Sequence, residues 1–285
     1  MKAGSALWGI TVQTFKVTIR SKWLIMFAIV FFFFSFNLPF LSLGSLLSTI
    51  PAKNVPNFIQ VVITTSFSLM PLLALPIGAV SIVEERESGS LAFILSTPTS
   101  RGKFLFARFC GLLAATTFII VLGFTFAALV AFRLSTGTTQ MWYVTEAAVL
   151  LNAAMVSVSL VISSLSRKRL TAYGGAIFLW FLFSYAGDTT VTAPILVAAN
   201  QYWVLLPSIL LNPIEVSRLI ALFSMNVVTG GPLAITSSDI GSTGQALINI
   251  FGMPGAVEAL WVTMGMWMSI MLASAYFILT FQDIR

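Results

Sequence analysis

A chain of 285 residues that is 58% hydrophobic and only 8% charged, with a mean hydropathy of +0.98, is not an ordinary soluble domain, in which about a quarter of residues carry charge. Fifteen Lys and Arg against nine Asp and Glu leave a net charge of +6, which in so apolar a chain is expected to meet anionic lipid rather than nucleic acid. The sequence has no histidine, which removes His-based triads, His-ligated zinc motifs and most proton relays, so an enzymatic function is not expected.

Long apolar runs without period-2 alternation predict helices rather than the strands of an outer-membrane barrel. Crossing about 30 Å of hydrocarbon takes roughly 20 helical residues. Runs of that length fall at 23–46, 58–83, 104–132, 142–165, 170–198 and 259–281. The expectation is an all-α membrane protein: one transmembrane domain over 1–285, with six transmembrane helices.

Ahead of the first run, Trp8, Val12, Phe15 and Ile19 share a narrow helical face, with Gln13, Lys16 and Arg20 turned away from it. Residues 5–20 are therefore predicted to form an N-terminal interfacial elbow helix, or else a plain extension of the first span. Phe31 to Phe34 sit in an apolar run too long for a cleaved signal and no small-residue cleavage site follows, so the first span is expected to be retained. Pro71 and Pro76 should kink the second span, since each removes a backbone donor.

Between the second and third spans lies "SIVEERESGSLAFILSTPTSRGK", a charged interruption at 81–103. Glu84, Glu85 and Glu87 are placed in the first turn of a short helix over 84–100, where carboxylates favour the positive end of the dipole. Leu91, Ile94 and Leu95 then give that helix an apolar face. Such a helix suits either docking of a partner or anchoring at the interface. Cys110, the single cysteine, forms no intrachain disulfide and is read as a small core hydrophobe.

In the fourth span Asn152, Ser159 and Ser163 lie on one stripe, which serves bundle packing or lines a substrate path. Asp188, toward the outer end of the fifth span, is expected to face protein or a wet cavity if it is not simply interfacial. Residues 199–258 are predicted to form a small helical extracytoplasmic cap, with Asn212 capping a helix that starts at Pro213, followed by a flexible loop at 229–244. On the sixth span Gly265, Ser269 and Ala273 form a small-residue ridge. Met264, Met268 and Met271 form a stripe that is either core or a copper(I) contact; no metal site is assigned to it.

Orientation follows from the basic residues. With residue 1 inside, Lys2, Lys16, Arg20, Lys22, Arg86, Arg101, Lys103, Arg108, Arg167, Lys168, Arg169 and Arg285 are cytoplasmic. Only Lys53, Arg133 and Arg218 then lie outside. The positive-inside rule places both termini in the cytoplasm of a cell-membrane protein.

The segment "VEERESGSLAFILSTPTSRGKFLFARF" resembles the signature region after the second span in permeases of type-2, exporter-class ABC transporters. The elbow, six spans with both ends inside and an outer hairpin before the last span are similar to that family. The stretch "LLPSILLNPIEVSRLIALF", with Asp188, most resembles those permeases of the class that serve nitrous-oxide-reductase maturation. The resemblance implies a permease that dimerises and is driven by a separate ABC ATPase subunit, which carries the ATP and Mg; this chain binds no cofactor itself. It implies a coupling surface at Glu84, Glu85, Arg86, Glu87, Leu91, Phe93 and Ile94, and an elbow at Trp8, Phe15, Lys16 and Arg20. The subclass implies a small sulfur-containing or copper-linked cargo. The chain has no G-x-x-x-x-G-K-[ST] phosphate loop of its own. An ATP-independent membrane scaffold recruiting a cytoplasmic partner is the rival reading. A lone secondary transporter is disfavoured, because no inverted repeat and no midplane acid and base set is evident.

Overall fold

A computed structural model describes residues 3–44, 55–91, 100–133, 138–186, 197, 202–229 and 237–281, and the elements among them are helical. In chain order they are α1 (Ala3–Ile19), α2 (Lys22–Gly44), α3 (Val55–Glu87), α4 (Arg101–Arg133), α5 (Thr138–Leu165), α6 (Arg169–Phe181), α7 (Tyr202–Leu210), α8 (Pro213–Thr229) and α9 (Ser237–Phe281). A π-helical turn, Leu182–Ala186, prolongs α6. Among the described residues four helical stretches are long and apolar enough to cross a membrane: Val61–Glu87, Arg101–Leu129, Met141–Leu165 and Pro254–Phe281. The pair α7 and α8, bent by 90°, would be a fifth if it crossed as one span.

Helices α3 and α5 form the centre, packed on one another, with α4, α8 and α9 also against α5. Close approach is set by glycine. A Cβ on Gly78 of α3 would lie 1.8 Å from Ser159 Oγ of α5, and one on Gly111 of α4 would lie 2.6 Å from Thr14 Cβ of α1. Pro71 and Pro76 both lie within α3, which continues as one helix through them. The carbonyl of Ser68, beside the first proline's turn, accepts from Trp180 Nε1 (2.9 Å) and Ser184 Oγ (3.3 Å) of the α6 strand of the bundle.

Two expected boundaries change. Helix α3 continues through Glu87, so Glu84, Glu85 and Glu87 occupy its last turn and not the first turn of a new helix. Ser88 and Gly89 end it: Gly89 N–H reaches back to Arg86 O (3.2 Å), and the left-handed φ of +72° there is the conformation glycine supplies at a helix stop. Helix resumes at Ser90 and Leu91. Downstream, 237–244 is the start of α9 and not loop. Burial of Thr243, Ala246 and Leu247 there outweighs the helix cost of Gly241 and Gly244.

The predicted outer cap also lies differently. Asn212 does cap α8, its Oδ1 accepting from Ile214 N (3.1 Å), and Pro213 opens the helix. Yet α8 is apolar almost all round and buried: Ile214, Val216, Leu219, Ile220, Leu222 and Phe223 are each at most 5% exposed. The corner before it is tied to the middle of the bundle, since Trp267 Nε1 donates to Leu210 O (2.9 Å) and Asn212 Nδ2 donates to Phe183 O (2.9 Å). Trp267 stands roughly 18 Å along α9 from Leu279, at the helix rise of 1.5 Å per residue. The α7–α8 hairpin therefore dips deep among the other helices, where its ion pair Arg218–Glu215 (3.4 Å) also resides. Asn212→Ala removes both the cap and the tie to Phe183; a loss of about 1–2 kcal/mol, read as a lower thermal midpoint, is expected.

Candidate functional site

The charged residues gather at one end of the bundle, where the last turn of α3, the start of α4 and the α5–α6 turn meet. Carboxylates in the final turn of a helix oppose its dipole, so Glu84, Glu85 and Glu87 require external compensation. They receive it from two arginines. Arg108 of α4 pairs with Glu85 (2.5 Å), and its guanidinium also donates to Ser81 O (2.6 Å) and Thr14 Oγ1 (3.1 Å). Arg169, at the start of α6, pairs with Glu84 (3.1 Å) and Glu87 (2.8 Å), and its backbone N–H donates to Glu87 Oε1 (2.9 Å).

Two further arginines hold helix ends. Arg86 donates to Ser164 O (3.3 Å) and Ser166 O (2.7 Å), covering the carbonyls where α5 stops. Arg101 does the same for α9 through Leu279 O (2.9 Å) and Thr280 O (2.6 Å). The last turn of α3 is thereby joined to α1, α4, α5 and α6 at once. The expected set Glu84, Glu85, Arg86 and Glu87 is consequently brought together as an ion-paired junction, with Glu85 largely buried and Glu84 and Glu87 paired at its exposed rim. Leu91, expected on the same face, is buried just beyond the turn. Phe93 and Ile94 lie outside the described residues. A glycine directly after the acidic run is the sequence signal for this arrangement, because it marks the end of α3.

The N-terminal helix packs on the bundle through its threonines. Thr14 and Thr18 are buried and Thr11 Oγ1 donates to Ala107 O (3.3 Å), so a threonine stripe meets α4. Trp8 is 71% exposed, Phe15 is half-buried, and Lys16 and Arg20 are exposed. Around the junction, a cavity of about 290 Å³ is lined among others by Thr18, Ser21, Trp23, Glu84, Arg108, Arg169 and Tyr173.

The polar stripe of the fourth span packs between helices. Asn152, Ser159 and Ser163 are fully buried. Asn152 Nδ2 donates to Thr116 Oγ1 (2.9 Å) and Thr117 Oγ1 (3.0 Å) of α4, Ser159 packs on Gly78, and Ser163 Oγ accepts from Ile82 N (2.9 Å) and Val83 N (3.3 Å) of α3. These are helix-to-helix contacts, as buried polar groups require. Asp188 lies outside the described residues. The ridge of Gly265, Ser269 and Ala273 faces away from the bundle, while Met264 is buried and Met268 and Met271 pack on the core. Among the described residues no three His, Cys, Asp or Glu side chains group as metal ligands.

Comparison with known proteins agrees with this architecture. The family described as ABC-2 family transporter protein matches residues 8–283. A probable ABC transporter permease protein NosY of Pseudomonas aeruginosa is 26% identical over 292 residues, covering 95% of this chain and 96% of the relative. A second, from Stutzerimonas stutzeri, is 25% identical over 282 residues with the same coverage of both.

Proposed function

The chain belongs to the ABC-2 family of transporter proteins, and on that premise we propose that it is the permease subunit of an ATP-driven ABC exporter, moved by a separate ATPase subunit. The bundle makes six crossings: the four long helical stretches together with α2 and with α6 and its continuation, while α7 and α8 form a re-entrant hairpin and not a crossing. Both termini and the charged end are cytoplasmic, in the cell membrane, by the bias of basic residues. Helix α1 is the interfacial elbow, its Trp8 left for lipid and its Lys16 and Arg20 for the membrane surface. A second copy of the chain completes the permease, and ATP with Mg is held by the ATPase.

The observation that carries the reading is the junction at the end of α3. A partner that grips the chain just after Gly89 acts on a turn bonded through Arg108, Arg169 and Arg86 to α1, α4, α5 and α6. A push there is transmitted to most of the bundle, as alternation between inward and outward states requires. Charged groups of the junction would set register with the partner more than affinity. Contact itself falls to the residues beyond, with Phe93 and Ile94 as the candidates.

Co-expression with an ABC ATPase and affinity purification through this chain tests the proposal. The ATPase is expected to co-purify and to lose at least about tenfold in recovery on the double change Phe93→Ala and Ile94→Ala, a difference of roughly 1.4 kcal/mol, with the permease still extracted from membranes. Equal recovery by that variant removes the assignment of the docking residues, and transport by the chain alone in vesicles without nucleotide removes the proposal.

A further inference from the structure

At the end of the bundle opposite the charged junction, a groove of about 450 Å³ lies over α5 and between α4 and α9. On α5 its floor is one helical face, Trp142, Thr145, Glu146, Val149, Leu150 and Ala153, and its walls are Val121 of α4 and Trp261 of α9. Near the charged end the two wall helices meet, with Gly102 against Tyr276 and Arg101 donating to Leu279 O (2.9 Å). Toward the other end the groove opens between them as a wedge, beside the exposed apolar side chains Phe118, Leu122 and Val262.

Glu146 is the one charge among these lining residues, and it is exposed. Among the described residues no basic side chain pairs with it. It stands roughly 28 Å along α5 from Leu165, and Trp261 roughly 27 Å along α9 from Leu279, so both reach one boundary of a hydrocarbon layer about 30 Å thick. Tryptophans at that level belong to an aromatic belt. An unpaired carboxylate on the exposed side of a spanning helix does not belong to such a belt; it costs less at the boundary than at mid-membrane, yet still gains from a counter-charge. A cation supplies what the place lacks: a counter-charge for Glu146 and a favourable neighbour for the two indole faces. The apolar floor below, continuous with Val149, Leu150 and Ala153, suits a hydrocarbon chain and not a small hydrated ion.

We propose that this wedge binds a membrane phospholipid whose ammonium headgroup sits between Glu146, Trp142 and Trp261, with an acyl chain lying down the groove between α4 and α9. The site is independent of the ATPase and of the transported cargo. It would hold the two wall helices at a defined separation while the bundle moves.

Native mass spectrometry of the purified chain, with phosphatidylethanolamine and phosphatidylglycerol of identical acyl chains, provides the test. Phosphatidylethanolamine is expected to be retained preferentially, and Glu146→Gln to reduce its retention roughly tenfold while leaving phosphatidylglycerol unchanged. Glu146→Asp should keep the preference. Trp142→Leu, at a position already 72% exposed and so tolerant of change, should weaken it with an unaltered thermal midpoint. Undiminished retention in both Glu146→Gln and Trp142→Leu overturns the proposal, as does an equal loss of both lipids. Tetramethylammonium binding as tightly as the lipid, with the same dependence on Glu146, would instead assign the groove to a soluble organic cation.

Discussion

Arg108→Met is expected to destabilise the detergent-solubilised protein by about 3–5 kcal/mol, because it strands the Glu85 carboxylate in a place from which water is largely excluded. The two side chains are only 12% and 17% exposed, and the same guanidinium also serves Ser81 O and Thr14 Oγ1. Helices α1 and α3 therefore lose their shared donor from α4 in one step. A fall of roughly 10 °C in the thermal midpoint is expected from a loss of that size in a chain this long. Adding Glu85→Gln to Arg108→Met should restore part of the loss, since the uncompensated charge and not the missing arginine is the larger cost. Arg169→Ala is the control. Its side chain is 45% exposed, and its pairs with Glu84 and Glu87 lie at the rim, so about 1 kcal/mol or less is expected. A larger effect at Arg169 than at Arg108 would refute the ordering by burial.

Gly78→Ala should also be damaging, for a different reason. A Cβ there meets Ser159 Oγ at 1.8 Å and Ser159 Cβ at 2.6 Å, and the second of these atoms cannot swing aside because it is fixed to the α5 backbone. Alanine gains about 1 kcal/mol of helix propensity over glycine. Forcing apart the two central helices is expected to cost about 1–3 kcal/mol or more and to outweigh that gain. Ser159→Gly in the same chain removes both contacts, so the double variant should recover most of the wild-type midpoint. Gly265→Ala, where nothing lies within 4 Å of the added carbon, should be neutral or slightly stabilising. Failure of Ser159→Gly to rescue Gly78→Ala would show that the close approach is not what the glycine serves.

Helix identity was legible because it is local. Runs of apolar residues place α2 to α5 to within a few positions, although α9 begins well before the run that marks it, and Asn212 followed by Pro213 announces the start of α8 from two adjacent residues. Even the end of α3 was available in Ser88–Gly89, but the acidic run before it drew attention to the dipole of a following helix rather than of the preceding one. The small-residue ridge of Gly265, Ser269 and Ala273 reads on a helical wheel as a packing face, yet it faces outward, and it is at Gly78 and Gly111 that helices touch. Spacing reports which residues share a face. It does not report what that face meets.

By itself the amino-acid order determined that this is a helical membrane protein, where its basic residues fall along the chain, and that it resembles the family whose description matches it. Those properties depend on hydrocarbon length, backbone satisfaction and charge near a bilayer, each of which is set by neighbours along the chain. Only the tertiary structure decided that the acids of α3 are answered by Arg108 and Arg169, that the α7–α8 hairpin lies among the helices instead of above them, and that Glu146 opens onto a groove between α4 and α9. Each of these joins residues tens of positions apart, and a partner for a charge or a floor for a groove exists only once the helices have packed.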